Sequence, residues 1–382
     1  MHCVVSPPVV EYSTLFEVRP SSAFVVAYRE TGLENLDSIL EVYKKLDLSE
    51  KIISIYQPTN SPEINSQNFR LTLQSGKQVL LRRCRRLQGQ AKYEAVYKLL
   101  NLLRKEGINV PEFYSLSTDD KVPYFEVEHL DGRVCWVFFK CLEADRYYSG
   151  RRNELIEAAE QIGKMHACLK KYYNTEEAVP TEADQRESHL GPFLKREEWN
   201  NILRIIEKRI ENGGDQYDHT FLENKGVIEE AINFVENHYS LLEDQDDIQN
   251  IHFDLNSRNF LVDKDQHVTI MDFDEVKLGN VYTDIGFAFH RLLTTCLEQR
   301  EENIRDAIQM FLTAYQKGNP TLKLDWKKMI VATYNRTLRN IKANLVLKYI
   351  ENKKEWMDSI SLNLNRLKQV MFLAKFVEEL NK

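Results

Sequence analysis

The hydrophobic pattern of this chain changes its period about a third of the way along. Before residue 143, alternating apolar segments predict two β-hairpins: Phe69–Leu73 with Gln78–Arg82, and Pro123–Glu128 with Val134–Phe139. An amphipathic helix is predicted between them, with apolar residues at helical spacing from Val96 to Leu103. After residue 143 the spacing is helical almost to the C-terminus, except for a strand-rich island between Asp246 and Lys277. The pattern therefore predicts an α+β protein with a sheet-rich first third and a mainly helical remainder.

The length of 382 residues favours two domains or lobes, since single domains usually contain about 100 to 200 residues. Residues 1–33 show no clear period and are predicted to form an N-terminal extension. We expect an N-lobe over residues 34–139, a hinge at 140–143 and a C-lobe over residues 144–382.

Composition and charge exclude several classes of protein. The chain carries 51 Lys and Arg against 58 Asp and Glu, a net charge of −7, which disfavours nucleic acid as a partner. Its longest stretch without Asp, Glu, Lys or Arg is the 11 residues 52–62, whereas a bilayer span needs about 18 or more apolar residues. The six cysteines form no Cys-x-x-Cys pair, and no secretion signal is recognisable. We therefore expect a cytoplasmic protein that binds neither membrane nor nucleic acid, and the oligomeric state stays open.

The residues that carry chemistry are concentrated in the strand-rich island. His252, Asp254 and Asn259 have the spacing of a phosphotransferase catalytic loop, and Asp272 follows 13 residues later, at the end of the next predicted hairpin. Transfer of a γ-phosphoryl group needs a carboxylate that orients the acceptor hydroxyl and accepts its proton, and oxygen ligands for Mg²⁺. Asp254 is predicted to supply the first function, and Asn259 and Asp272 the second. The alternative is that these residues only form turns and end a strand, as Asp and Asn often do.

This pattern resembles the aminoglycoside phosphotransferase and choline kinase superfamily, small-molecule relatives of the protein kinases. The family pattern is His-Gly-Asp-Leu-His-x-Gly-Asn followed by Ile-Asp-Phe-Asp. The charged and metal-binding positions match, but Phe253 and Arg258 replace the two glycines and Asn256 replaces the second histidine. The resemblance implies a two-lobed protein-kinase-like fold, with a small antiparallel-sheet N-lobe containing one helix and a larger, mainly helical C-lobe. It also implies His252 as a catalytic residue beside Asp254, and ATP and Mg²⁺ as cofactors.

The resemblance assigns nucleotide-binding residues in the N-lobe as well. Arg82 stands where the family carries a cation for the α- and β-phosphates, and a guanidinium can bind phosphate with two hydrogen bonds. Glu94, on the following helix, is the matching carboxylate. The backbone at Lys140 and Leu142, in the hinge, is expected to pair with adenine. For Arg82 the alternative is a strand-end cation on a solvated face.

The predicted loop at residues 57–66 contains no glycine, so Ser61 and Ser66 are the candidates there for contacting phosphates. A protein kinase would normally carry a Gly-rich loop at this place, and an Ala-Pro-Glu segment after Asp272. Both are missing. The sequence therefore favours a small-molecule kinase over a protein kinase.

Several other residues have predicted roles. Asp284, which matches an Asp of the family, is expected to brace the catalytic loop. His166 and Cys141 are interpreted as packing residues, and the acidic segment 243–247 as a solvated loop that could attract an amine. The helical insert at about 174–245, together with the C-terminal helices, is expected to form the acceptor pocket.

The predicted function is transfer of the γ-phosphoryl group of Mg-ATP to a hydroxyl of a small molecule. An amino alcohol such as choline or ethanolamine, a hydroxylated amino acid, a sugar and an aminoglycoside all remain open as acceptors. A second hypothesis is a catalytically silent nucleotide-binding regulator of the pseudokinase type, suggested by the two replaced glycines.

Overall fold

The computed structural model of the chain describes residues 15–17, 25–27, 39, 52–56, 66–84, 90–114, 124–129, 132–147, 151–172, 191–293, 301–353 and 359–380. The chain divides into two compact units. The first contains residues 1–101 and 111–143, and the second contains residues 102–110 and 144–382. The sequence pattern places residues 102–110 in the N-lobe. The structure groups them with the second unit, where the Ile270 N–H donates to the Asn109 carbonyl oxygen at 2.9 Å.

The first unit is built on a five-stranded antiparallel sheet with the order β3-β4-β5-β7-β6, accompanied by a separate β1-β2 pair. The strands are β1 (Leu15–Glu17), β2 (Val25–Ala27), β3 (Ile52–Tyr56), β4 (Ser66–Leu73), β5 (Gln78–Cys84), β6 (Tyr124–His129) and β7 (Gly132–Lys140). Both predicted hairpins are confirmed. The first turns at residues 74–77, where Gly76 supplies a φ of +84° that other residues adopt at a cost.

The core of this sheet follows from the alternation along its strands. In β5, Val79 and Leu81 are buried while their neighbours are half-buried, and the central strand β7 contributes the fully buried Trp136. The predicted helix is α1 (Gln90–Lys105), which has two cations in its last turn and is followed by Gly107 at φ +80°.

The second unit is mainly helical, as predicted. Its helices are α2 (Arg152–Lys171), α3 (Arg196–Glu211), α4 (Gln216–Glu223), α5 (Lys225–His238), α6 (Val281–Leu293), α7 (Glu301–Gly318), α8 (Trp326–Leu345) and α9 (Ser359–Leu380). Its short strands are β8 (Ala144–Arg146), β9 (Ile248–Ile251), β10 (Phe260–Asp263), β11 (Val268–Ile270) and β12 (Lys277–Asn280). None of the described helices combines the length and apolar character needed to cross a membrane.

One helical prediction needs correction, because the spacing of apolar residues predicts a single helix over residues 326–380. The continuous helix predicted over 326–380 ends at Leu345 and passes into a π turn, Val346–Ile350, before α9 starts at Ser359. In this turn the Lys348 ammonium lies 3.4 Å from the Asp218 carboxylate, a tertiary contact that local periodicity does not encode.

Close helix packing holds the second unit together. A Cβ added at Gly163 of α2 would lie 2.4 Å from the Tyr315 carbonyl oxygen of α7, so only glycine permits this approach. Similarly, a Cβ at Gly286 of α6 would lie 2.5 Å from the Thr333 hydroxyl of α8. The second contact holds α6 close to α8, and these are the helices that reach the loop with the phosphotransferase spacing.

Candidate active site

Two short strand pairs hold the loop of residues 252–259. Strand β9, which precedes the loop, pairs antiparallel with β12, so that Ile251 lies opposite Lys277. Strand β10, which follows the loop, forms a hairpin with β11, and Asp272 comes directly after that hairpin. The predicted return of the chain to the loop is therefore confirmed.

Asp254 and Asn259 are brought into direct contact. The side-chain amide of Asn259 donates to Asp254 Oδ2 at 3.0 Å and to the Asp254 carbonyl oxygen at 2.8 Å. The Asn256 amide donates to the same carboxylate oxygen at 3.0 Å. Two amide donors thus orient one oxygen of Asp254. Because the NH₂ group of Asn259 is used in this way, its Oδ1 points to the other side of the amide.

The backbone of Met271 connects Asp272 to the loop from two sides. Its N–H donates to the Asn259 carbonyl oxygen at 2.8 Å, and its carbonyl oxygen lies 2.8 Å from His252 Nε2. The Asp254 N–H donates to His252 Nδ1 at 3.2 Å, so Nε2 carries the ring proton and donates to Met271. Asp272 itself has a left-handed backbone with φ 64°. Asp254 and Asn259 are therefore bonded to each other, and Asp272 follows directly on a residue whose backbone is bonded to the same loop.

His252 is completely buried, and its ring packs edge-on against Phe273 with the ring centroids 4.6 Å apart. Both ring nitrogens are bonded to the backbone, as described above. The side chain is thus placed to hold the loop in shape, whereas Asp254 is half-buried.

Asp284 braces the loop, as predicted. Its carboxylate is fully buried in the first turn of α6 and accepts from the His252 N–H at 2.6 Å and from the Phe253 N–H at 2.7 Å. His166 Nε2 lies 3.3 Å from Asp284 Oδ2, and His166 Nδ1 lies 2.9 Å from the Tyr315 hydroxyl. Burial raises the pKa of Tyr315 well above its ordinary value, so the hydroxyl stays protonated. His166 is confirmed as a packing residue with hydrogen-bond partners.

Phe253, at the first replaced glycine, takes up the left-handed conformation that glycine would adopt, with φ 68°. For a residue with a side chain this costs about 1 to 3 kcal/mol, so surrounding contacts must hold it. Its N–H is bound by Asp284, and its carbonyl oxygen accepts from Arg336 Nη2 at 3.0 Å. The buried ring contacts three cations at 3.9 to 4.8 Å from its centroid: Lys277, Arg336 and Arg339.

Arg258, at the second replaced glycine, behaves differently. It is exposed and lies in a short 3₁₀ turn, Ser257–Asn259, with an ordinary negative φ. Its N–H donates to Asn256 Oδ1 at 2.9 Å. This position needs no glycine in the observed conformation.

The residues predicted in the N-lobe lie in the first unit. Arg82 is half-buried in β5, opposite Asn68 and Val137, and Glu94 is exposed on α1. Ser66 is the first residue of β4, although its side chain lies outside the described residues, as does all of Ser61.

In the predicted hinge, Lys140 and Leu142 are both exposed. The Lys140 N–H donates to the Glu112 carbonyl oxygen at 2.8 Å, and its ammonium pairs with the Glu112 carboxylate. The Lys140 amide is therefore engaged within the protein, which corrects the expectation that it pairs with adenine. Its carbonyl oxygen and the backbone of Leu142 stay as candidates. Burial raises the pKa of the Cys141 thiol, which fits its interpretation as a packing residue.

The acidic segment 243–247 is more than a solvated loop. Lys328, near the start of α8, places its ammonium 2.8 Å from Asp244 and 2.6 Å from Asp247, and Asp247 is buried. This contact lowers the pKa of Asp244. The segment therefore ties β9 to α8.

Residues 57–320 match the sequence model of the phosphotransferase enzyme family. The chain belongs to this family. No curated protein sequence matches it.

This phosphotransferase shares its fold with solved structures of low sequence identity. Spectinomycin phosphotransferase in complex with ADP and spectinomycin has a TM-score of 0.62 and 15% identity over 90% of this chain and 98% of its own. Amicoumacin kinase in complex with AMP-PNP, Ca²⁺ and Ami has a TM-score of 0.56 and 13% identity over 89% and 96%. Choline kinase LicA from Streptococcus pneumoniae has a TM-score of 0.50 and 15% identity over 89% and 99%. The α+β protein-kinase-like fold and the membership of the phosphotransferase enzyme family are thus as the sequence predicted.

Sequence reasoning missed the residues that hold Phe253. Arg336 and Arg339 belong to α8, about 80 residues further along the chain, where they look like ordinary helix-surface cations. The only signal was their spacing of three residues, which puts both on one side of a helix.

Proposed function

We propose that this phosphotransferase moves the γ-phosphoryl group of Mg-ATP to a hydroxyl of a small molecule. The observation that carries the proposal is the backbone of Met271, bound on one side by Asn259 and on the other by His252. These two bonds keep Asp272 beside the loop that contains Asp254. The arrangement supports one carboxylate for the acceptor and two oxygen-bearing side chains for a metal ion.

Asp254 is proposed to direct the acceptor. Its Oδ2 receives two amide donors, whereas Oδ1 makes no hydrogen bond within the part of the chain that the structure describes. An acceptor hydroxyl can therefore donate to Oδ1. In the transfer the hydroxyl oxygen bonds to the γ-phosphorus, the bond from that phosphorus to the β–γ bridging oxygen breaks, ADP leaves and the hydroxyl proton passes to Asp254.

Asn259 and Asp272 are proposed to hold Mg²⁺. An amide oxygen and a carboxylate are hard oxygen donors, and Mg²⁺ in phosphotransferases usually takes only one or two protein ligands beside water and phosphate oxygens. The bonds from the Asn259 NH₂ group to Asp254 leave Oδ1 as its ligand atom. The ion would neutralise charge on the phosphates. His252 and Asp284 are proposed as positioning residues that keep the loop in shape.

Nucleotide contacts in the first unit are proposed from the sequence resemblance. Arg82, with Glu94 as its carboxylate partner, would bind the α- and β-phosphates. Ser61 and Ser66 would contact phosphates from their loop, and the hinge backbone would pair with the adenine ring. The half-buried position of Arg82 in β5 is compatible with this role.

The alternative of a silent nucleotide-binding regulator is less well supported. It was suggested by the replaced glycines, yet Phe253 adopts the conformation of a glycine and Arg258 has no need of one. The loop therefore keeps its internal hydrogen bonds.

The test is ATP consumption by the purified protein with Mg²⁺ against a panel of amino alcohols, hydroxylated amino acids, sugars, sugar phosphates and aminoglycosides. We expect acceptor-dependent ADP release that Asp254→Asn reduces at least about a thousand-fold while Mg-ATP binding persists. Asp306→Asn, at an exposed position on α7, is the matched control and should retain activity. Full activity of Asp254→Asn would overturn the proposed role, and nucleotide binding without transfer to any acceptor would favour the regulator.

A further inference from the structure

Six cations surround the loop that carries Asp254, and we refer to them as the cationic cluster: Arg258, Lys277, Arg291, Arg336, Arg339 and Arg366. Arg336 lies between two aromatic rings, 4.4 Å from the Phe253 centroid and 4.6 Å from that of Phe287. Lys277 and Arg339 cover the same Phe253 ring. Helices α6, α8 and α9 thus contribute cations to one place in the second unit.

The charges of the cluster act on one another. Burial, followed by the neighbouring charge of Arg339, lowers the pKa of Arg336 to about 9, and the Asp254 carboxylate acts in the opposite direction. Burial and the charge of Arg258 lower the pKa of Arg366 to about 10. Burial and the charges of Arg366, Arg336 and Arg258 lower the pKa of Arg291, which Asp254 again opposes. Arg291 and Arg336 thus lie near enough to Asp254 for its charge to be felt, and Arg366 lies near Arg258 and Arg291.

Three members of the cationic cluster have no carboxylate within ion-pair distance among the described residues. Within the described residues, Arg258, Arg336 and Arg366 make no ion pair. Arg336 is 4% exposed, and its Nε and Nη1 have no hydrogen-bond partner; the same is true of the buried Nε of Arg366. A guanidinium buried in this way costs stability unless an anion compensates it.

Of the acidic groups in this part of the chain, Asp244, Asp247 and Asp284 are engaged elsewhere, whereas Glu275 acts on Arg336 and favours its charged form. Asp284 is occupied by two loop amides and His166, and Asp244 and Asp247 by Lys328. The acidic segment therefore offers little to a positively charged acceptor. The guanidinium groups of Arg258, Arg336 and Arg366 suit a carboxylate or a phosphate, to which a guanidinium can donate two parallel hydrogen bonds.

We propose that the acceptor is an anion: a hydroxylated small molecule whose carboxylate or phosphate contacts the cationic cluster while its hydroxyl faces Asp254. This inference rests on the proposed function and narrows its acceptor class. Amino alcohols and aminoglycosides, which are cations at neutral pH, would be repelled by the cluster.

The test uses four probes that share a three-carbon diol skeleton and differ in charge: glycerate, glycerol 3-phosphate, glycerol and 3-aminopropane-1,2-diol. Their binding is measured by calorimetry on the full chain saturated with Mg-AMP-PNP, so that no turnover is needed. We expect glycerate or glycerol 3-phosphate to bind about ten-fold or more tightly than the amine, and the stronger of the two identifies the anionic group.

Arg366→Gln should weaken binding of the preferred anion about ten-fold, and the exposed Arg258→Gln about three-fold, since solvent screens that charge. Because Arg258 is exposed, Arg258→Gln does not disturb the core, so it still tests the inference if Arg366→Gln misfolds. Arg204→Gln, an exposed arginine of α3, removes the same charge elsewhere and should change binding less than two-fold. Arg336 is left intact because it also bonds to Phe253.

Tighter binding of the amine or of glycerol, binding of none of the probes, or variants that weaken Mg-AMP-PNP but not the anion would each overturn the inference. Failure of the proposed function is a separate outcome. It would appear as absent Mg-AMP-PNP binding, or as no phosphate transfer to any acceptor in the panel.

Discussion

The two ends of the loop 252–259 have the same departure from the family pattern, a large side chain in place of glycine, but different physical situations. At the buried end, Phe253 has φ 68° and is held by Asp284, by Arg336 and by the packing of its ring. At the exposed end, Arg258 lies in a 3₁₀ turn with a negative φ, and its backbone N–H donates to the Asn256 side chain within the same turn.

The comparison shows that the effect of replacing a glycine depends on the backbone conformation at its position. Where the backbone must be left-handed, the replacement is tolerated only because distant elements stabilise it. Where the backbone is in an ordinary conformation, the replacement is nearly neutral. The buried end should therefore be sensitive to changes in its surroundings and the exposed end insensitive.

The largest effect is expected for Asp284→Ala. This change leaves the buried amides of His252 and Phe253 without an acceptor, which should lower the free energy of unfolding by about 3 to 5 kcal/mol. Urea denaturation measures the loss. Asp306→Ala, whose exposed carboxylate lies 3.5 Å from Arg152, should change stability by less than about 0.5 kcal/mol. Equal losses in the two variants would refute the bracing role.

At the buried end, Phe253→Ala removes the ring but keeps the left-handed backbone, and should cost about 3 to 4 kcal/mol in unfolding free energy. Phe253→Gly removes the ring as well but relieves the backbone, so it should be about 1 kcal/mol more stable than Phe253→Ala. The two denaturation curves give this difference directly. A more stable alanine variant would mean that the loop does not hold φ near 68°.

The smallest effect is expected at the exposed end, where the order should reverse. Because the φ of Arg258 is negative, Arg258→Ala should be about 0.5 kcal/mol more stable than Arg258→Gly, which gains entropy in the unfolded chain. The same denaturation measurement applies. If glycine were preferred at both positions, the contrast between the two ends of the loop would disappear.

Local sequence was sufficient where chemistry and geometry lie within a few residues. The five-residue step from Asp254 to Asn259 predicts a tight turn, and the two side chains are in contact in the structure. The hairpin that returns Asp272 to the loop could also be predicted, because it depends on alternation and turn residues alone.

Local sequence was insufficient where a position depends on distant partners. The sequence around Phe253 does not predict that Asp284 binds its N–H and Arg336 its carbonyl oxygen. Likewise, the sequence around Lys140 does not predict that the Glu112 carbonyl oxygen accepts from its N–H. Helix periodicity likewise could not show the π turn at Val346–Ile350, where Lys348 pairs with Asp218.

The sequence by itself determined which groups are available: a carboxylate, an amide and a second carboxylate, at spacings that a turn and a hairpin bring together. Only the tertiary structure decided how the buried end of the loop tolerates a phenylalanine and that Arg336, which makes no ion pair among the described residues, lies within reach of the charge of Asp254. The physical reason is the distance along the chain between the residues that interact. Turn geometry and hairpin pairing depend on residues that are close in the chain. The stabilisation of a left-handed residue and the electric field of a charge cluster depend instead on contributions from several helices that folding brings together.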